Sequence, residues 1–380
     1  MFAGVVTLLA GVAWGQAAPA VIWSPVLEVR HRGITEDTDP ADALATQGRV
    51  EQRARVGMEV ARLGVSARVT FQDVRSWDVA SGAVTPKAFA PALADGWVRV
   101  EGHLTRNVGA IATVGRQTVV LDEGRILGED PLSAGSRHLD AVRVVGEVEP
   151  VCVEYVHARR FVGEAAPRGY RVQMVRVGAR GENPVTTWVA DGFWVEDDGP
   201  VDTRTSTFGT YLRFDSGRWR GRMDGYLQAG EAGTGSLVGL SAGWVFGPNE
   251  RLVTHARYDH LSGTNTAAGT AAWSPVLGDS RRFNGLLDHF ADPAHRPDGL
   301  SDAQVVVEAR FGPPLSTRLV AHQFRSARDG ALYGHELDAR AAWSFSPFAA
   351  LAFEGGWYAP DAAPGDAHAL FGYVELDATF

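Results

Sequence analysis

Residues 47–61 read QGRVEQRARVGMEVA, and the two parities of that stretch differ in chemistry. Val50, Ala54, Val56, Met58 and Val60 share one parity, while Arg49, Glu51, Arg53, Arg55 and Glu59 share the other. Successive side chains of a β-strand point to opposite faces, so this spacing predicts a strand with one apolar and one strongly charged side. After a turn near Gly64 the pattern repeats, with Val65, Ala67, Val69 and Phe71 against Ser66, Arg68, Thr70 and Gln72. It returns far along the chain, where Trp219, Met223 and Leu227 oppose Arg220, Arg222 and Asp224. Leu337, Ala339, Ala341 and Trp343 likewise oppose Glu336, Asp338 and Arg340.

Alternation alone fits either a water-soluble sandwich or a membrane barrel. Length and punctuation separate them. The segments approach the roughly 9–11 residues that a tilted membrane strand needs, and exceed the five or six usual in globular sheets. Connections alternate between long (after 33, at 76–94, at 118–136) and short (62–64, 104–107, 149–150). Strands near 25, 48, 64, 95, 107, 137, 151, 169, 184, 206, 218, 235, 250, 302, 314, 333, 348 and 370 make about 18. The expectation is an all-β, membrane-spanning, antiparallel up-and-down barrel with both termini periplasmic. That parity requires RRFNGLLDHF (281–290) to lie inside one long external loop at 262–300, with Gly-Pro-Pro at 312–314 as a tight periplasmic turn. The Gly-rich GEAGTGSLVG (230–239) has no GK[ST] ending and reads as another external loop.

The ends of the chain fit the same picture. MFAGVVTLLAGVAWGQAAPA carries an apolar run followed by small residues, so residues 1–17 are expected to be a secretory signal and 18–380 one outer-membrane domain. The last residues, GYVELDATF, alternate and finish on Phe380, as the assembly signal of an outer-membrane barrel does. Trp219, Trp244, Trp343, Phe345 and Trp357 lie near strand ends and suit an aromatic girdle. The net charge of −9 disfavours nucleic acid as a partner, and Cys152 is the single cysteine, which excludes an intrachain disulfide. The histidines form no HExxH pattern, and no Gly-x-Ser-x-Gly elbow occurs. No catalytic residue, metal or cofactor is expected. A hydrolase, or an adhesin acting through its loops, is the remaining alternative.

If the apolar faces meet lipid, the charged faces line an aqueous lumen. The inward set then includes Arg30, Arg49, Arg53, Arg55, Arg68, Arg99, Arg213, Arg220, Arg222, Arg257, Arg310 and Arg340, interleaved with Glu28, Glu51, Glu59, Glu101, Asp224, Asp259, Glu308, Glu336 and Asp338. Lys87 is the single lysine among 36 basic residues, so the cations are guanidiniums that can hold a carboxylate with two hydrogen bonds. Two roles follow for them: selective handling of anions, and pairing with carboxylates to stiffen the wall.

One segment carries a more specific signal. Residues 115–144 read GRQTVVLDEGRILGEDPLSAGSRHLDAVRV. Gly115, Arg116 and Gln117, then Glu123, Gly124, Arg125, Leu127 and Gly128, then Arg137, Asp140, Ala141 and Arg143 resemble the strand-loop-strand signature of the alginate export family of bacterial outer-membrane proteins. The resemblance resumes at GLSDAQ (299–304) and YGHELD (333–338). It implies an 18-stranded barrel whose electropositive channel passes an acidic polysaccharide such as alginate, with lipid and lipopolysaccharide around it and periplasmic export partners feeding it. Arg116, Arg125, Arg137 and Arg143 are then expected to border the constriction. A general diffusion porin preferring small anions is the alternative reading.

Overall fold

The computed structural model describes residues 21–37, 46–80, 83–128, 137–160, 170–182, 186–198, 204–231, 233–247, 251–265, 268–275, 277–290, 296–312, 314–361 and 368–380. The expected signal segment lies outside them. The strands, in chain order, are β1 (Ile22–Asp37), β2 (Thr46–Arg62), β3 (Val65–Ala80), β4 (Ala83–Thr105), β5 (Val108–Gln117), β6 (Leu139–Val148), β7 (Val151–Arg160), β8 (Tyr170–Glu182), β9 (Thr187–Asp198), β10 (Arg204–Ser216), β11 (Trp219–Gly230), β12 (Gly233–Phe246), β13 (Leu252–Leu261), β14 (Leu300–Arg310), β15 (Leu315–Arg325), β16 (Leu332–Ser346), β17 (Ala349–Pro360) and β18 (Ala369–Thr379). Each pairs antiparallel with its sequence neighbours, and β1 also pairs with β18. The sheet is therefore a closed 18-stranded barrel. Phe380 donates its amide to the Leu27 carbonyl at 2.8 Å and so completes the seam.

Closure leaves no open sheet edge, the condition for a sheet to span a bilayer. The outer surface agrees. Val56, Met58, Val69, Phe71, Met223, Leu240, Val305, Leu337 and Phe353 all stand exposed, in a belt that a water-soluble protein would bury. Trp219, Phe246, Trp343, Phe345, Phe348 and Phe380 gather at strand ends or turns on one rim and are exposed there, which suits a membrane interface. This is an integral barrel of the outer-membrane type.

That aromatic rim is the end with short turns. At Leu63 and Gly64 both φ values are positive, 51° and 75°, the twist of a type I′ hairpin that matches the strands it joins. Both ends of the barrel chain reach this rim. The other rim carries the long connections, including 118–138 and 262–299, and residues 281–290 lie within the second as expected.

Two expected loops are instead strand. The 76–94 region continues β3 to Ala80 and resumes as β4 at Ala83, with Trp77 opposite Pro86. Its Ala and Pro content hides a hairpin whose ladder runs on past the belt. Most of 230–239 is the start of β12, with Gly233 and Gly235 beside the returning 262–299 loop. A Cβ on Gly235 would meet the Trp273 Cα at 3.3 Å, so glycine here serves close approach.

Candidate functional site: the lumen and its two inward loops

The largest apolar cluster of the described residues lies inside the barrel. Leu121, Ile126 and Leu127 of the 118–138 loop, with Trp273 and Phe290 of the 262–299 loop, pack against inward side chains of the wall, among them Val156, Val172, Met174, Phe193, Val195 and Leu237. The described parts of both long loops thus fold into the lumen instead of standing out in solvent. They also bond each other. Leu277 donates its amide to the Ile126 carbonyl at 3.1 Å, Asp279 to Gly124 at 2.8 Å, and the Gly128 amide returns to Leu277 at 3.1 Å.

Polar anchors fix where the loops sit. Asp122 is buried and accepts hydrogen bonds from Arg222 and from the Tyr226 hydroxyl, the latter at 2.5 Å. Burial pushes the Asp122 carboxyl above its ordinary value, while Arg222 and Tyr226 act to lower it. Arg125 is buried too, with Nη2 2.9 Å from Asp259, Nη1 3.5 Å from Asp224, and its guanidinium 4.8 Å from the centre of the Phe283 ring. Arg257 bridges the same two carboxylates at 2.8–2.9 Å, and Arg222 joins Asp224, at 2.6 Å, to Asp122. The 262–299 loop has its own anchors on the wall. Leu286 donates its amide to Asp338 at 3.2 Å and Leu287 to Glu336 at 3.0 Å, while Gln304 donates to the Phe283 carbonyl at 2.8 Å.

The backbone at the tip of the first loop is strained. Asp122, Glu123 and Gly124 take φ of 57°, 53° and 94° in succession. Each non-glycine residue in that region costs on the order of 1 kcal/mol or more and persists only where the surroundings overdetermine it. Here the buried Asp122 and Arg125 on either side supply the constraint. Glu123 between them is the exposed member of the turn.

Across the lumen, β18, β1, β2 and β3 carry a different surface. Arg53 and Arg55 both bond Glu28, Arg30 and Arg32 both pair with Glu375, and Arg68 pairs with Glu59 at 2.9 Å while stacking over Trp97. The field of this wall reaches the exit of the first loop. His138, 3.7 Å from Asp95, is held down at about 4 by burial, with like-charge repulsion from Arg55, Arg116 and Arg53 adding to it.

The four signature arginines therefore separate. Arg143 lies on the inner face with Ala141 and bonds Glu154 at 2.6 Å. Arg137 joins the two loops by donating to the Leu277 and Gly278 carbonyls, each at 2.8 Å. Arg125 is a buried anchor and faces no solute. Arg116 is bidentate with Asp140 at 2.7 and 2.8 Å, and the register puts that pair on the strand face of the exposed Val114 and Val142. Its partner satisfies it at the rim, opposite in face to Arg143. Glu336 and Asp338 are likewise loop anchors, buried under Leu286 and Leu287. Arg222 belongs to the buried clamp. Arg53, Arg55, Arg68, Arg99, Arg310 and Arg340 remain on the inner face, where Arg99 pairs with Glu101 at 2.9 Å and Arg340 with Glu354 at 3.3 Å, and Arg310 ends β14 near the short turns.

Below the loops, toward the short turns, lie two cavities. One, of about 450 Å³, is lined by Arg213, Arg220, Arg222 and His255 with Glu123 and Asp215. The other, of about 880 Å³, is lined by Arg106, Arg176, Arg180 and Arg213 with Glu123, Glu147, Glu149 and Asp191. Glu123, Val189 and Arg213 line both and form the partition between them. No group of His, Cys, Asp and Glu among the described residues is arranged to hold a metal ion.

Sequence reasoning placed Arg213 inward but missed Glu123 as a lumen residue and missed the apolar inner wall. The second had a signal. At the long-loop end of β7 to β9 both parities are apolar, as in Tyr155 with Val156 or Trp194 with Val195, which a purely aqueous lumen would not require.

No family model matches the sequence, and no curated protein matches it. The fold is nonetheless shared with solved structures. The chain is similar to OccAB1 of Acinetobacter baumannii (13% identity, TM-score 0.65, covering 94% of this chain and 96% of that one). It is also similar to a BenF-like porin from Pseudomonas fluorescens Pf-5 (12%, TM-score 0.66, 94% and 98%) and to OccK9 (OpdG) of Pseudomonas aeruginosa (13%, TM-score 0.65, 94% and 98%). At these identities the likeness establishes the barrel architecture.

Proposed function

We propose that the chain is an outer-membrane diffusion channel for small hydrophilic solutes, with a preference for anions, and that the short-turn rim and both chain ends face the periplasm. The observation that carries this reading is the plugged lumen. The described parts of two loops, clamped by buried ion pairs, occupy the lumen, and beside them lie arginine-lined cavities of about 450 and 880 Å³, the scale that encloses small molecules. The arginines on those cavities and on the β18–β3 wall favour anions, above all carboxylates that a guanidinium fork can hold. That the chain shares its fold with a BenF-like porin supports the same reading.

An acidic polysaccharide such as alginate is the rival cargo, suggested by the 115–144 segment. The roles of Arg125, Glu336 and Asp338 favour the smaller solute, because three of the residues expected to meet a polymer instead hold the loops that would obstruct it. Purified protein in planar bilayers distinguishes the readings. The expected result is a pore preferring chloride and small carboxylates over potassium, with no block by soluble polyuronate. Cation preference or absence of conductance would overturn the channel assignment, and block by polyuronate but not by neutral polysaccharide would restore the polymer.

A further inference from the structure

Glu123 sits in an arginine cradle at the partition between the two lumen cavities. Its Oε1 lies 2.7 Å from Arg213 Nη1 and 3.6 Å from Arg222 Nη1, and its Oε2 lies 3.7 Å from Arg282 Nη2. Arg282 also donates to the Glu123 backbone carbonyl at 2.8 Å. The turn that presents this carboxylate is built with two successive non-glycine residues in the left-handed region, and is fixed on both sides by buried anchors. Strain of that kind, at the boundary of two cavities, fixes the backbone from which the Glu123 side chain reaches, so that a displaced carboxylate has one place to return to.

The contact itself is of the displaceable kind. Arg213 and Arg282 have side chains more than half exposed, at 53% and 54%, and Arg213 engages Glu123 through one nitrogen. The bidentate fork of Arg116 and Asp140 at the rim is the contrasting case. A monodentate, water-exposed ion pair competes on near-equal terms with a carboxylate arriving from solution.

We infer that Glu123 is a tethered surrogate for the permeating anion: its carboxylate occupies the Arg213–Arg282 cradle that a small solute carboxylate must take over to pass, and so sets how tightly the channel holds that solute. A solute carboxylate displaces the side chain, uses the same guanidiniums, and is expelled when Glu123 returns. The cradle thus binds strongly enough to attract an anion and weakly enough to release it.

This inference rests on the anion-channel reading, and its test separates the two. The full-length protein, its Glu123→Gln variant and its Arg213→Gln variant are each recorded in planar bilayers, in gradients of sodium propionate and of sodium chloride. Propionate is the Glu side chain as a free molecule. Glu123→Gln is expected to shift the reversal potential toward the anion and to lower the propionate concentration at half-saturating conductance about two- to five-fold, the range that an exposed pair supports. Arg213→Gln is expected to shift both in the opposite direction. A wild-type channel without conductance refutes the parent reading. A wild-type anion channel whose half-saturation by propionate is unmoved in both variants, or moves the same way in both, overturns the role of Glu123 alone. A reversal-potential shift equal in chloride and propionate, without any change in saturation, also overturns it, because Glu123 would then act only as a fixed charge. Should Glu123→Gln fail to assemble, Glu123→Ala is recorded in its place and judged by the same outcomes.

Discussion

Replacing Arg125 by Met tests whether the buried clamp holds the 118–138 loop inside the barrel. The clamp contains three carboxylates, Asp122, Asp224 and Asp259, against three guanidiniums, Arg125, Arg222 and Arg257. Methionine keeps most of the aliphatic volume and the contact with Phe283 but leaves one buried negative charge without its partner. Removing one member of a buried pair costs about 3–5 kcal/mol. Arg257 still reaches both Asp224 and Asp259 at 2.8–2.9 Å, so the lower end applies, about 3 kcal/mol. The ratio of released to docked loop should then rise about a hundredfold, since roughly 1.4 kcal/mol is tenfold.

Hydrogen exchange in detergent micelles reads that ratio directly. The Leu121 amide is bonded to the Leu127 carbonyl at 2.9 Å, and the Leu277 amide to Ile126 at 3.1 Å. Both should exchange about a hundredfold faster in Arg125→Met, while amides of the β1–β18 seam keep their rates. Single-channel records should show a larger and noisier open state. The decisive control is the double variant Arg125→Met with Asp259→Asn, which removes the stranded charge and should recover most of the protection. Wild-type exchange in the single variant, or a double variant looser than the single, would refute the clamp.

On the outer surface, Val56 is 60% exposed, and Val56→Arg there should cost about 2–4 kcal/mol if it faces the bilayer centre, against roughly 0.5 kcal/mol for a water-facing site. Urea titration of folding into lipid vesicles measures this, and a neutral result would mean the belt does not meet lipid. Glu336→Gln combined with Asp338→Asn weakens the carboxylates that receive the Leu287 and Leu286 amides, so those two amides should exchange faster and the channel should flicker more often. Unchanged exchange at both amides would show that the 262–299 loop is held by its apolar contacts alone.

The barrel was legible from the sequence because its physics is periodic. Alternation of Val56 and Met58 with Arg53 and Arg55 fixes which face meets lipid, and the I′ turn at Leu63–Gly64 marks where the chain reverses. The fates of individual charges were harder to read because they depend on loops that have no period. Arg340, Glu336 and Asp338 share one strand parity, yet a loop about fifty residues earlier in the chain covers Glu336 and Asp338 and leaves Arg340 by Glu354. The same applies to Arg125, whose neighbours Gly124 and Ile126 give no hint that Asp224 and Asp259 await it. The extended β3–β4 hairpin was missed for a different reason. Pro86 and the alanines beside it satisfy the rules for a loop, and cross-strand pairing with Trp77 overrides them.

Why the loop is anchored by ions on one side and by hydrocarbon on the other follows from what each contact can specify. Leu121, Ile126 and Leu127 against Val172, Met174 and Val195 supply non-directional attraction that would tolerate a shift along the wall. An arginine shared between Asp224 and Asp259 tolerates far less, because a small displacement leaves a charge unpaired in a dry site. Apolar packing would suffice if the loop only had to obstruct the lumen. The added ionic clamp makes sense if the loop must also present one group at one place, and the group it presents is Glu123, two residues from Arg125 and next to Asp122. Under this argument, weakening the apolar contacts by Leu127→Ala should increase conductance more than it alters ion selectivity. Neutralising the clamp should alter both, because it frees the position of Glu123 along with the loop.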